Sequence, residues 1–188
     1  MSEAELIQAL RERNESAFRQ LVDSYKNSIY NASLGIVQNT DEAEDIAQEV
    51  FIEVIHSIHH FKGESKLSTW IYRIAVTKSL EQIRKKKRQK RFGFMIRLFQ
   101  GDANSSSIDV PDFVHPGVLM ENRERAAILF KAIDSLTENQ KVAFTLNKID
   151  DMSYEEIASV MNVSLSSVES LIHRAKVNLQ KKLESLIK

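Results

Sequence analysis

Apolar residues recur at helical spacing through most of the chain. Phe18, Leu21, Val22, Tyr25 and Ile29 repeat at gaps of three and four, which marks one buried face of a helix. Ala43, Ile46, Ala47, Val50, Phe51, Val54, Ile55 and Ile58 alternate gaps of three and one, and they predict a second helix with a continuous apolar stripe. Thr40 or Asp41 is suited to cap it. Asp41, Glu42, Glu44 and Asp45 place acid in its first turn, where the helix dipole favours negative charge. Gly63 breaks the pattern. Ser68 then reads as the cap of a helix carrying Trp70, Ile71, Ile74, Ala75 and Ile83. Helical texture returns with Ala127, Phe130, Ile133 and Leu136. Thr137 with Gln140, and Ser153 with Glu156, have capping-box spacing, in which each side chain bonds the other's backbone N–H. Val142, Ala143, Phe144 and Leu146 lie between the two boxes. After Ser153 comes a short helix with Ile157, Ala158 and Met161, a turn at Asn162-Val163-Ser164, and a long amphipathic helix. Val168, Leu171, Ile172, Ala175, Leu179 and Leu183 form its inward stripe.

Strand signal is almost absent and no internal repeat occurs, so a solenoid is disfavoured. The only prolines, Pro111 and Pro116, lie among Gly93, Gly101, Gly117 and the run Ser105, Ser106, Ser107. Breakers and small polar residues gathered in this way mark a linker. The pattern therefore predicts an all-α protein of two small helical domains, 1–92 and 121–188, joined by a flexible tether over 93–120. Whether the two domains pack together in the free protein is left open.

Composition narrows the function classes. Lys plus Arg and Asp plus Glu both total 26 among 188 residues, so the net charge is zero. A nucleic-acid surface would have to come from local segregation of charge. At 43% hydrophobic residues the chain can build a core. It contains no cysteine, which excludes disulfides, thiolate metal sites and cysteine nucleophiles. No stretch approaches the roughly 18 apolar residues of a membrane span, and the opening MSEAELIQALRERNE has no apolar signal-peptide core. A cytoplasmic protein without membrane insertion is expected.

Three constellations carry candidate chemistry. The first is the helix–turn–helix from Ser153 to about Lys182. Such a unit can deliver a helix N-terminus into the major groove. Ser166, Ser167, Glu169, Ser170, His173 and Arg174 lie off the apolar stripe of its second helix, free to touch bases or phosphates. An ordinary helical hairpin has the same pattern. The second is RKKKRQKR at 84–91, with seven basic residues in eight. That density exceeds what helix capping needs and points to a polyanion. The Phe92–Phe99 stretch behind it would also suit a lipid surface. The third is FKGESKLSTWIYRIA at 61–75, where Phe61, Trp70 and Tyr72 stand beside Lys62, Lys66 and Arg73. Aromatics next to cations can stack unpaired bases, although a lone Trp is more often core. His56, His59 and His60 lack a third ligand or an HExxH arrangement, so no zinc site is expected. No Gly-rich phosphate loop and no nucleophile–base pair is recognisable.

The blocks DEAEDIAQEVFIEV (41–54), FKGESKLSTWIYRIA (61–75) and LTENQKVAFTLNKIDDMSYEEIASVMNVSLSSVESLIHRAK (136–176), in this order, resemble bacterial RNA polymerase sigma factors of the extracytoplasmic-function group of the sigma-70 family. The resemblance covers nearly the whole chain. It implies a sigma region 2 domain, a sigma region 4 helix–turn–helix domain and no intermediate domain. It also implies a non-catalytic, cofactor-free specificity subunit that binds core polymerase, recognises −10 and −35 elements and promotes strand opening.

By the same resemblance, Asp41, Glu44, Asp45, Gln48, Glu49 and Phe51 dock on the β′ clamp helices. Lys62, Glu64, Ser65, Lys66, Ser68, Thr69, Trp70, Tyr72 and Arg73 capture a flipped base of the −10 element, and a few kcal/mol of unstacking must be offset there. Thr77, Lys78, Gln82 and Arg84 lie further along the helix that reads upstream −10 DNA. Ser164, Ser166, Ser167, Glu169, Ser170, His173, Arg174 and Lys176 contact the −35 duplex. Core polymerase (β′ and β subunits), duplex and melted promoter DNA, and an anti-sigma factor, often membrane-attached in this family, are the partners implied. Many relatives carry Asn at the position of Thr77, a basic residue at Glu169 and Gly-Thr at Ser166-Ser167, so promoter preferences are not transferred. The rival readings are a stand-alone dimeric helix–turn–helix regulator, which leaves the acidic helix and the Trp70 loop without a task, and a helical adaptor that binds only proteins.

Overall fold

A computed structural model describes residues 2–100 and 128–187, and every regular element among them is helical. In chain order these are α1 (Glu3–Arg11), α2 (Glu15–Val37), α3 (Thr40–Ser57), a 3-10 turn (Ile58–His60), α4 (Leu67–Gln100), α5 (residues 128–134), α6 (Glu138–Lys148), α7 (Tyr154–Met161) and α8 (Leu165–Ile187). Pro111, Pro116, Gly101, Gly117 and the serine run lie outside the described residues. α4 continues through Gly93 to Gln100, so the stretch read as a tether begins as helix.

Local chemistry sets most helix ends. Ser2 and Glu5 form a capping box on α1, and Ser153 and Glu156 form another on α7. Thr137 and Gln140 do the same for α6. α3 is capped by Asn39, not by Thr40 or Asp41. Asn39 is extended and its Oδ1 accepts from Glu42 N at 2.9 Å, so Thr40 and Asp41 fall inside the first turn. α4 starts at Leu67, one residue before the expected cap Ser68. Its first backbone N–H is met from outside, by Glu3 Oε1 of α1 at 3.2 Å. A helix start capped through a distant carboxylate leaves no local signature.

The first lobe packs α2, α3 and α4 around Leu21, Ile29, Ile46, Val50, Val54, Leu67 and Ile71, all buried. The second lobe packs α6, α7 and α8 around Val142, Leu146, Ile157, Val168 and Ile172. A satellite cluster of Ala132, Ile133, Leu136, Ala175 and Leu179 ties α5 to α8. The apolar stripe on α3 is narrower than its periodicity suggests: Ile55 is 37% exposed and points outward with Ile52 at 54%.

The lobes are in contact. α2 packs on α6 and α4 packs on α7, and one hydrophobic cluster runs without a break from Leu6 to Ile172. Residues 32–36 of α2 are buried in succession. An amphipathic helix cannot bury five consecutive residues against one neighbour, so this part of α2 is covered on both sides. Gly35 makes the approach possible. A Cβ there would lie 2.5 Å from Thr145 Cγ2 and 2.8 Å from Ile149 Cδ1, closer than carbon atoms pack.

Candidate nucleic-acid interface

The helix–turn–helix forms as the pattern predicts. α7 ends at Asn162 in the left-handed conformation, φ 54° and ψ 49°, a conformation that Asn tolerates better than most residues. Ser164 Oγ then accepts from Ser167 N at 3.2 Å and bonds the hydroxyls of Ser166 and Ser167. Ser164 thus caps α8, and the serine cluster shapes the helix N-terminus. With Val168, Ile172, Ala175 and Leu179 buried, the opposite face carries Ser166, Glu169, Ser170, His173, Arg174 and Lys176, all exposed. Ser167 is half-buried. Lys176 also borders a shallow apolar groove lined by Leu129, Phe144, Leu179 and Leu183. Periodicity in the sequence does not single out this groove.

On the first lobe, Lys62, Glu64 and Lys66 are exposed around Gly63, whose φ of 76° makes the turn. Ser65 and Ser68 are half-exposed, and Thr69 is buried. Trp70 is half-buried against Phe61, with ring centroids 5.1 Å apart and planes tilted by 38°, so it belongs partly to the core and keeps an exposed edge. Thr77 is exposed, and its hydroxyl donates to Arg73 O. Lys78 and Gln82 are tied down within the lobe. Lys78 pairs with Glu49 at 3.3 Å, and Gln82 donates to Glu42 at 3.0 Å. Glu42 also holds Lys86 at 2.7 Å. Glu42 therefore organises the α3–α4 seam, a role with no sequence signal beyond its place in the first turn.

The outer face of α3 presents Asp41, Asp45, Gln48, Ile52 and Ile55, spaced four, three, four and three apart and exposed. Glu44 and Glu49 are exposed beside them. Phe51 is only 7% exposed and packs in the core, so it stands apart from this face. Sequence reasoning misses Ile52 and Ile55 as the apolar members of the face because hydrophobicity alone assigns such residues inward.

Other residues of the first lobe meet the second. Tyr72 is 7% exposed and its hydroxyl donates to Asp150 Oδ1 at 3.2 Å. Arg73 donates from Nε and Nη2 to Ser159 O at 2.9 and 2.6 Å. Lys66 Nζ lies 3.7 Å from Glu156 Oε1. Arg84 and Lys87 both pair with Glu138, at 3.3 and 3.0 Å. Lys87, then Arg84, hold the Glu138 carboxyl below the usual carboxylate range. Burial, and then the charge of Asp150, push the Tyr72 hydroxyl upward. Burial pushes the Asp150 carboxyl up to about 7 against the opposing hydrogen bond from Tyr72, with Asp151 adding to the rise. Among the described residues, no group of three His, Asp or Glu could hold a metal ion.

Comparison with known proteins identifies both lobes. Residues 21–89 match the family model for Sigma-70 region 2, and residues 123–179 match that for Sigma-70, region 4. The chain is 33% identical over 180 residues to the ECF RNA polymerase sigma factor SigW of Bacillus subtilis, covering 96% of each chain. It is 30% identical over 183 residues to the ECF RNA polymerase sigma-E factor of Escherichia coli K12, covering 97% of this chain and 95% of that one. Its fold is similar to that of CnrH in complex with the cytosolic domain of CnrY, with a TM-score of 0.69, 19% identity and 97% coverage of both chains. The sigma factor RpoE from Bartonella quintana, in complex with the anti-sigma factor NepR, has a TM-score of 0.64 and 22% identity, covering 89% of this chain and 96% of that one.

Proposed function

The chain belongs to the sigma-70 family, in its extracytoplasmic-function group, and from that premise we propose how its surfaces divide the work of transcription initiation. It binds core RNA polymerase, directs it to promoters through −10 and −35 elements and promotes strand opening. It is a specificity subunit and carries no chemistry of its own. It acts in the cytoplasm with the polymerase, and no described helix is long and apolar enough to cross a membrane.

The outer face of α3 docks on the β′ clamp helices. Asp41, Asp45 and Gln48 supply polar contacts, and Ile52 and Ile55 supply the apolar anchors that give an interface its affinity. Glu44 and Glu49 border that contact, and Phe51 supports it from within the core. The loop from Lys62 to Lys66, with Ser68, Thr69, Trp70, Tyr72 and Arg73, takes the flipped −10 base. Thr77, Lys78, Gln82 and Arg84 follow the upstream duplex. Ser166, Ser167, Glu169, Ser170, His173, Arg174 and Lys176 enter the −35 major groove, with Ser164 fixing the helix start. An anti-sigma factor is the expected regulator, since the structurally similar RpoE is held by one.

The observation that supports this reading is the pairing, in one chain, of an exposed acidic–apolar helix face with a basic, aromatic-bearing loop on the first lobe and a helix–turn–helix on the second. A dimeric repressor has no use for the first of these. Tethering both DNA units to one polymerase raises the effective concentration of each at its own element, so free protein should bind promoters weakly and holoenzyme tightly. The test is run-off transcription by purified core polymerase on a genomic promoter library, with and without the protein. New start sites that depend on the protein support the reading. Identical initiation with folded protein present overturns it.

A further inference from the structure

We propose that Glu42 is a positioning residue for promoter reading: it holds the Gln82 amide so that a hydrogen-bond acceptor faces the upstream −10 duplex, and the chain thereby selects a base with an exocyclic amino group, adenine or cytosine, on the strand that Gln82 meets. The proposal rests on the assignment of Gln82 to the −10 duplex.

The seam between α3 and α4 imposes the orientation. Gln82 Nε2 donates to Glu42 Oε1 at 3.0 Å. A carboxylate only accepts hydrogen bonds, whereas an amide has a donating end and an accepting end. Which end of an amide faces which partner is decided by the hydrogen-bond network, and a carboxylate partner allows one answer. The NH2 end of Gln82 faces Glu42, and Oε1 is turned away. Among the described residues this oxygen accepts no hydrogen bond, and it is not buried. The side chain as a whole is half-buried, so Oε1 lies at the accessible edge of the seam.

Glu42 is itself firmly placed. Its backbone N–H is bonded by Asn39 Oδ1 at 2.9 Å, and its side chain is 17% exposed. Lys86 Nζ lies 2.7 Å from Oε2, a contact that is an ion pair rather than a directed hydrogen bond. Gln82 and Lys86 stand four residues apart and share a face of α4, so one carboxylate serves both. Glu49 and Lys78 pair across the same seam at 3.3 Å. An ammonium donates whichever way it turns, so Lys78 gains no direction from its carboxylate. Gln82 does, and a reading group fixed before DNA arrives costs less to order on binding.

The base edges supply the discrimination. In the major groove adenine N6 and cytosine N4 are donors, whereas guanine and thymine offer acceptors. An outward amide oxygen bonds adenine or cytosine. Against guanine or thymine it meets another acceptor, and both groups lose water without gaining a partner. A freely turning Gln would accommodate all of them.

The test is competitive run-off transcription by holoenzyme on templates randomised across the upstream −10 duplex, with thermal melts of each variant. The ratio of products within one reaction does not depend on how much of a variant is folded. Wild type should sort one base pair by its amino and keto bases, accepting adenine and cytosine alike on the contacted strand over guanine and thymine by at least fivefold. Gln82→Ala should lose that preference. Glu42→Ala should reduce it to within twofold, and the double variant should match Gln82→Ala alone. Glu42→Gln keeps the shape of the seam. Lys86 only donates, so it draws the new amide oxygen and leaves an NH2 group facing Gln82, which must turn round to meet it. This variant should move the preference towards guanine and thymine, a shift that packing across the seam cannot produce. Retention of the wild-type preference by Glu42→Ala or Glu42→Gln overturns the proposal. So does a wild-type profile that sorts the Gln82-dependent pair as A·T against G·C, or as purine against pyrimidine. An unchanged base profile in Gln82→Ala overturns the assignment of Gln82 to DNA and the proposal with it. Absence of transcription from every template by folded wild-type holoenzyme overturns the sigma-factor reading itself.

Discussion

The Tyr72 hydroxyl donates to Asp150 Oδ1 at 3.2 Å across 78 residues of sequence, joining the helix expected to capture the −10 base to the loop that precedes the helix–turn–helix. Burial holds the Asp150 carboxyl at about 7, against an ordinary value of 3.8. The unfolded chain therefore ionises first as pH rises. The contribution of Asp150 to stability is full below about pH 4 and declines as pH rises towards 7. A tenfold change in proton affinity between the folded and unfolded chain corresponds to about 1.4 kcal/mol, so the loss across this window is a few kcal/mol at most. Asp150→Asn keeps an acceptor for Tyr72 and removes the proton. The difference in melting temperature between variant and wild type should be smallest near pH 4 and shift steadily in favour of the variant up to pH 8. A constant difference from pH 5 to pH 8 would refute this account of the carboxyl.

Neighbouring residues on α3 should separate docking from folding. Ile52 is 54% exposed whereas Phe51 is 7% exposed. Ile52→Glu should weaken core polymerase binding by about tenfold, near 1.4 kcal/mol, with little change in melting temperature. Phe51→Ala leaves a core cavity and should cost about 3–5 kcal/mol of stability. Fluorescence titration against core polymerase, beside thermal melts, distinguishes the two effects.

His173 and Arg174 stand exposed on α8, opposite its buried stripe. His173→Ala with Arg174→Ala should leave stability within about 0.5 kcal/mol. The same change should abolish the preference for a native −35 sequence over a scrambled one, without affecting transcription from a preformed bubble. Retained −35 dependence in a quantitative run-off assay would remove this face from DNA reading.

Asn39 tests the local account of the fold. Its Oδ1 caps α3 at 2.9 Å, so Asn39→Ala should destabilise the protein by about 1 kcal/mol. Thr40→Ala, inside the helix, should change stability by less than half as much. Urea titrations of the two variants compare them directly.

The helices, the capping boxes at Thr137 and Ser153 and the turn at Asn162 were legible because they depend on residues within four positions of one another. The outward face of α8 was legible for the same reason: once its apolar stripe is known, the remaining side chains point to solvent. The sequence also carried the division into two helical domains and their family. One error was local: the cap of α3 is Asn39, adjacent to the expected Thr40 or Asp41; the others arose where a distant group intervened. Glu3 caps α4, a contact that local pattern does not encode. Ile55 fits the apolar stripe by spacing, yet the way α3 seats on its neighbours leaves it partly outside.

Sequence alone determined what each segment becomes, because helical periodicity and capping are short-range and hydrophobic stripes specify which face is buried. Only the tertiary structure decided how the two lobes meet. That depends on a missing Cβ at Gly35 facing Thr145 and Ile149, and on the alignment of Arg73 with the carbonyl end of α7. Surface complementarity of this kind is a property of two folded shapes brought together, and no periodicity in either segment contains it.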